Sequence, residues 1–179
     1  MEDLRLRPLR VDDEAVALAA HEELARDGFQ FLLSRVPGEP WAAYVERLLR
    51  HRRGLDLPPG MVPAAYLVAY VGPEMVGRVS VRFALTPWLR QQGGHIGYGL
   101  RPGFRGRGFA HELLRQALVI ARSEGVDPAL LVCDEDNAHP PRSSSGQVDR
   151  RKSRSPTRRP LCTGASGSPD TVDPSILQP

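Results

Sequence analysis

The run "LRPGFRGRGFAHELL", residues 100–114, carries the clearest chemical signal in the chain. Pro102 ends the strand before it; Gly103, Gly106 and Gly108 permit positive φ and close backbone approach; and an amphipathic helix starts at once. Such a turn aims several N–H groups and the positive end of a helix dipole at one spot. A phosphate or pyrophosphate is its natural occupant. Arg105 and Arg107 add formal charges that favour a polyanion. Two familiar phosphate loops do not fit. A nucleotide P-loop needs Gly-Lys followed by Ser or Thr, which the chain lacks. A dinucleotide fingerprint needs a wholly parallel sheet with an acidic residue ending the next strand. Glycines after a strand also occur in ordinary strand-to-helix connections, so the surrounding elements have to decide.

Those elements can be read from periodicity. "LRLRPL" alternates apolar and charged residues as a short strand does, with Pro8 placing it near a sheet edge. Asp12 or Asp13 caps a helix reaching about Arg26, with Val16, Leu18, Ala19 and Leu24 as its apolar stripe. "GFQFLL" is a glycine break followed by an apolar patch. A second amphipathic helix runs from about Pro40 to Arg53 with Trp41, Tyr44, Val45, Leu48 and Leu49 at helical spacing, and Gly54 stops it. "VPAAYLVAYVG" and "EMVGRVSVRFAL" form an antiparallel hairpin through a turn on Gly72 and Pro73. A loop, "TPWLRQQGG", leads to the strand "HIGYGL"; the glycine turn, the helix "FAHELLRQALVIARSEG" and a strand "ALLVC" follow. The order is β, α, α, β, β, β, α, β. Its last strands, joined through a helix, should lie parallel with a right-handed crossover. The expected class is α/β (α+β), a mixed and mostly antiparallel sheet with a central βαβ unit.

Composition bounds the function. The 179 residues suit one domain of ordinary size. The formal charge of +3 is uneven: residues 139–179 hold 6 Arg and 1 Lys against 3 Asp, so the high pI belongs to the tail. Cys133 and Cys162 give neither a disulfide framework nor metal-ligand spacing, and no metal is expected. His21, His51 and His111 show no ligand spacing and read as helix-surface residues. "RLLRHRR" at 47–53 reads as a solvated helix end that could meet an acidic substrate. The start has no apolar leader and no segment approaches 18 apolar residues, so a soluble, cytoplasmic protein without membrane contact is expected.

The turn and its flanks resemble the GNAT (GCN5-related) N-acetyltransferases, whose coenzyme A pyrophosphate loop has the pattern Arg or Gln, x, x, Gly, x, Gly or Ala. Here it reads Arg105, Gly106, Arg107, Gly108, Phe109, Ala110. "VGRVSVRFALTPWLRQQGG", "GGHIGYGLRPGFRGRGFAHELLRQAL" and "CDEDN" look like one bacterial branch of the family, and the resemblance covers about residues 3–138. It implies a GNAT fold and direct transfer of an acetyl group from acetyl-CoA, as cosubstrate, to an amine on a small molecule or peptide. It also implies that "HIGYGL" splays from "ALLVC", with backbone groups at Tyr98, Gly99 and Leu100 pairing with the pantetheine amides. Orientation and backbone polarisation of the carbonyl would supply much of the rate. A neutral amine calls for a base, and His95, Tyr98 and Glu74 are the nearest catalytic candidates. Each also has a structural reading: a polar strand end, packing and a solvated turn respectively. Asn137 commonly faces the coenzyme arm in this branch, and it can cap the next helix as well. A homodimer is compatible with the resemblance.

The resemblance stops abruptly. The family continues after "CDEDN" with a helix of the type "xASxxVIExxGG" and two strands, whereas this chain has "AHPPRSSSGQVD", in which Pro140 and Pro141 exclude a helix interior. Residues 139–179 contain no Phe, Tyr or Trp, but 7 Pro and 8 Ser, a composition of disorder. Codons chosen for "NAASAQVIERSGG" give "NAHPPRSSSGQV" when one base is removed near Ala138. The expectation is therefore a GNAT domain over residues 1–138 lacking its C-terminal helix and strands, followed by an out-of-frame tail, with activity impaired. An alternative is a non-catalytic protein whose "RRKSRSPTRR" contacts nucleic acid through phosphate charge. That cluster has no interleaved aromatics for base stacking, which argues against nucleic acid.

Overall fold

The computed structural model describes residues 3–132. Within them four strands form one sheet in the order β1-β2-β3-β4: β1 (Leu4–Pro8), β2 (Ala64–Val71), β3 (Glu74–Arg82) and β4 (Ile96–Leu100), each antiparallel to its neighbour. Pro8 ends the edge strand β1, where a missing N–H costs no ladder bond. The β2–β3 hairpin turns at Gly72, whose φ of 56° favours glycine. Tyr70 pairs with Met75 and Ala69 with Gly77, so Val76 is an extra residue on β3, a bulge.

Helices cover both faces. Glu14–Ala25 forms α1 and Trp41–Arg52 forms α2, and with residues 29–32 they bury Phe29, Phe31, Trp41 and Tyr44 against Tyr66, Val68 and Met75. Burial of this kind contributes about 1.5–3 kcal/mol per large apolar side chain. Hydrogen bonds hold the 29–39 connection down: Tyr66 OH donates to Phe31 O at 2.6 Å, Tyr44 OH to Leu33 O at 3.1 Å, and Arg47 to Ser34 O at 2.8 Å. On the other face a helix from Phe109 to Ser123 lays Phe109, Leu113, Leu114, Ala117 and Ala121 over Leu4, Val79, Val81, Ile96 and Leu100.

Sequence expectations change in three regions. The buried stripe of α1 is Ala17, Ala20 and Leu24; Val16 and Leu18 pack partly buried beside it, and Ala19 is exposed. Small residues facing the sheet let this helix approach closely. Its N-terminal Asp13 makes no capping bond; its carboxylate instead takes Arg7 Nη1 and Nη2 (2.7 and 2.8 Å), Arg10 N–H (2.8 Å) and Tyr70 OH (2.8 Å). The segment read as the loop "TPWLRQQGG" contains a short helix, α3 (Pro87–Gln92), capped by Thr86 Oγ1, which accepts from Leu89 N–H at 3.2 Å. The Phe109–Ser123 helix is accordingly α4. The third change lies beyond α4, where residues 129–132 form no strand although the pattern "ALLVC" predicts one; Cys133 lies outside the described residues. His95 N–H donates to Leu130 O at 2.7 Å, but Leu130 N–H donates to His95 Nδ1 at 2.9 Å rather than to a main-chain carbonyl. That donor is spent on a side chain rather than on a ladder bond.

Candidate active site

The antiparallel ladder sets which groups of β4 face its open edge. Arg82 N–H donates to His95 O and Arg101 N–H to Val76 O, so the His95 carbonyl and residues 97, 99 and 101 bond towards β3, while His95 N–H turns to Leu130. By alternation Ile96, Tyr98 and Leu100 turn their main-chain groups to the other side, where β4 is the last strand among the described residues. Gly99 therefore does not face that edge. Its lack of a side chain serves packing, since a Cβ there would lie 2.5 Å from the Phe29 ring.

At the end of β4 the chain makes a 3₁₀ turn, Pro102–Phe104, and then reverses through Gly106 (φ 74°) and Gly108 (φ 83°). Gly103 lies inside the 3₁₀ turn and needs no positive φ. The first bonds of α4 run from His111 N–H and Glu112 N–H to Gly108 O, so Phe109 and Ala110 stand ahead of them at the positive end of the helix. A Cβ at Gly106 or Gly108 would meet nothing within 4 Å, leaving the backbone approachable. Arg105 does not point its charge at that spot: Nε donates to Leu100 O (3.0 Å) and Nη2 to Asp27 Oδ2 (2.6 Å). Arg101 makes a parallel tie to Glu23 (2.5 Å), so two arginines fasten the turn to the end of α1. Arg107 lies over Phe104 and Phe109, 5.7 and 5.2 Å from the ring centroids. The turn and helix end can take a pyrophosphate, and the edge of β4 can take amides.

The three catalytic candidates do not converge. Glu74 is exposed at the first residue of β3, whereas His95 pairs with Arg82 at the last, some 27 Å away at ~3.4 Å per residue. His95 Nδ1 accepts from Leu130 N–H, which fixes the neutral Nε2–H form; burial, then Arg90 and Arg82, hold its pKa below the ordinary histidine value. Protonating Nδ1 would break that bond. Tyr98 sits mid-strand on the open edge, its ring half-buried against the α4-side core. Asn137 lies outside the described residues. Among those residues no cluster of three or more His, Cys, Asp or Glu could hold a metal ion.

The family model for the acetyltransferase (GNAT) domain matches residues 3–140. The chain belongs to the GNAT acetyltransferase family. No curated protein matches it. Similar solved structures include the acetyltransferase of GNAT family from Streptococcus pneumoniae, 16% identical over 69% of this chain and 70% of that one, with a TM-score of 0.46. They also include the PaiA N-acetyltransferase from Thermoplasma acidophilum in complex with coenzyme A, 13% identical over 69% and 75%, TM-score 0.43. A GNAT family acetyltransferase from Brucella melitensis in complex with acetyl-CoA is 17% identical over 70% and 72%, TM-score 0.37.

One set of residues in this GNAT domain escapes a reading by motif. On β3 the side chains of Arg78, Ser80 and Arg82 share the face covered by residues 29–32, and Arg78 and Ser80 are buried, 3% and 4% exposed. Across from them β4 offers Gly97 and Gly99. Arg78 Nη1 donates to Gly97 O at 3.2 Å and Nη2 to Gln30 O at 2.9 Å, with its guanidinium 4.3 Å from the Phe29 ring centroid. Burial pulls its pKa down to about 10. The signal was present as "GRVSVR", where period-two spacing puts both arginines on one face of a strand.

Proposed function

We propose that the chain transfers the acetyl group of acetyl-CoA to an amine acceptor. One observation carries this reading: the edge of β4 away from β3, to which Tyr98 and Leu100 turn their main-chain groups and where the Leu100 carbonyl already accepts from Arg105 Nε, runs directly into the Gly106–Gly108 turn and the positive end of α4. The turn N–H groups from Gly106 to Ala110 and the Arg107 charge suit a pyrophosphate. From Leu100 back to Ile96 the edge extends for about 13 Å at ~3.3 Å per residue, a track for an extended arm bearing amides. The thioester supplies the acyl group; the protein's part is to hold it beside a neutral amine. Of the three candidate bases only Tyr98 stands on this edge. His95 is committed to Leu130 and Glu74 lies at the far end of β3.

Calorimetry of acetyl-CoA against the chain, paired with thiol release in the presence of amines, tests the reading. Gly108→Ala places a methyl in the open space before the turn at a φ that costs a non-glycine residue about 1 kcal/mol. We expect acetyl-CoA affinity to fall about tenfold or more, beyond what the loss of stability explains; unchanged affinity would remove the turn from the coenzyme site. We also propose that residues from His139 onward are read out of frame, in keeping with a family match that ends at residue 140. A frame-restored chain should then bind acetyl-CoA more tightly than this one, and equal affinities would refute the idea.

A further inference from the structure

The Arg78–Ser80–Arg82 stripe presents two cations without a carboxylate to answer them: neither arginine forms an ion pair among the described residues. Arg78 has a structural task, since both its terminal nitrogens clamp the 30s segment to β4. Its Nε is nonetheless sealed in without a partner. Arg82 is different. Its Nη1 donates to Gly93 O at 3.1 Å and Gly94 O at 3.0 Å, which fixes the plane of the guanidinium. Its Nε and Nη2 carry no hydrogen bond among the described residues, and the side chain is only partly buried.

The Nη1–Nη2 end of the guanidinium adjoins a gap. The two terminal nitrogens of Arg82 lie 3.7 Å from the point a Cβ on Gly97 would occupy, and no other described atom outside its chain neighbours comes within 4 Å of that point. Glycine at 97 therefore leaves room for a small group beside a held guanidinium. Burial lowers the pKa of Arg82, and the charges of Arg90 and Arg82 help to keep His95 neutral, so the surroundings are electropositive. A carboxylate seated there can accept a charge-assisted bond from Nη2, beside a guanidinium that the Gly93 and Gly94 carbonyls hold in place.

We propose that Arg82 is a specificity determinant that receives a carboxylate of the acceptor over Gly97, so that the substrates are amines bearing a carboxylate, of the amino-acid class, rather than polyamines. This rests on the acetyl-transfer reading above. Polycations would meet the charges of Arg82 and Arg90 with no carboxylate among the influences on the stripe. The test uses the full chain and probes that need no turnover: N-acetyl-L-amino acids against their N-acetyl amino-acid amides, titrated calorimetrically with and without coenzyme A. The carboxylates should bind about tenfold or more tightly than the amides, and Arg82→Gln should abolish the difference while coenzyme affinity stays unchanged. Arg82→Lys, which keeps the charge but loses the planar guanidinium that the Gly93 and Gly94 carbonyls hold, serves if the glutamine variant fails to melt cooperatively, and should also reduce the preference. Equal affinities for acids and amides, no binding of either, or a preference that survives both substitutions would overturn the proposal. Should the acids bind while acetyl-CoA does not, the anion site stands and the acetyl-transfer reading falls.

Discussion

His95 stands where β4 begins, one residue from the edge read as the coenzyme track, and its imidazole accepts from Leu130 N–H at 2.9 Å. Asparagine can offer its side-chain oxygen in place of Nδ1, so the two readings of this residue separate cleanly. We expect His95→Asn to keep thiol release within about threefold, whereas a general base would lose on the order of a hundredfold or more. His95→Ala should unpair a partly buried N–H and lower unfolding free energy by about 1–3 kcal/mol in urea titrations. A hundredfold loss in folded His95→Asn would restore the base. Nothing in the spacing of "HIGYGL" could show this, because the deciding partner lies 35 residues later in the chain. The arginines of β3 differ: their shared face follows from period two, but that the face is covered becomes visible only once Phe29 and Phe31 are seated on it.

The strand "IGYGL" divides its residues by face: Ile96, Tyr98 and Leu100 towards α4, and Gly97 and Gly99 towards the α1 and α2 side. Gly99→Ala would place its methyl 2.5 Å from the Phe29 ring, and we expect overpacking of about 1–3 kcal/mol. Phe29→Leu makes room, so the double variant should lose less than the sum of the two single changes; strict additivity in a double-mutant cycle would show that this contact does not set the strand's composition. Most elements were legible because period and punctuation agreed: α2 between Pro40 and Gly54, the hairpin around Gly72, and α4 after Gly108. Six residues are too few to show a helical period, which hid α3; Thr86-Pro87, a cap followed by proline at the first position, was the available sign. The fully buried positions of α1 are Ala17, Ala20 and Leu24: Val16 and Leu18 outweigh the alanines in hydrophobicity and pack partly buried, while close packing on the sheet selects the small pair. "ALLVC" has a strand's composition, but composition cannot reveal that His95 takes its ladder donor.

Acid should act on the fold in two stages, set by groups spread over both layers. Burial holds His21, His51 and His95 below the ordinary value of 6.5, and His51 Nε2 is sealed in without a partner. The unfolded chain then binds more protons than the folded one, so stability falls as pH drops below about 6.5. The carboxylates act lower down. Burial alone would raise Asp13, but Arg7, Tyr70 and the Arg10 N–H outweigh it and keep the group below 3.8. Arg47 holds Glu39 below 4.5, and Arg115 with Gln116 brings Glu112 to about 2. These groups stabilise the fold above their unfolded values, and that contribution is lost as pH falls from about 4.5 towards 2. Melting temperature against pH should therefore decline first between about 6.5 and 5 and again below about 4.5. Asp13→Asn should weaken the second decline, and should cost about 1.5–3 kcal/mol at neutral pH through its charge-assisted bonds to Arg7. A melting temperature that stays flat from pH 7.5 to 5 would mean that the buried histidines already carry protons in the folded chain. The Leu130 contact to His95 would then be the first to reconsider, since it requires a bare Nδ1.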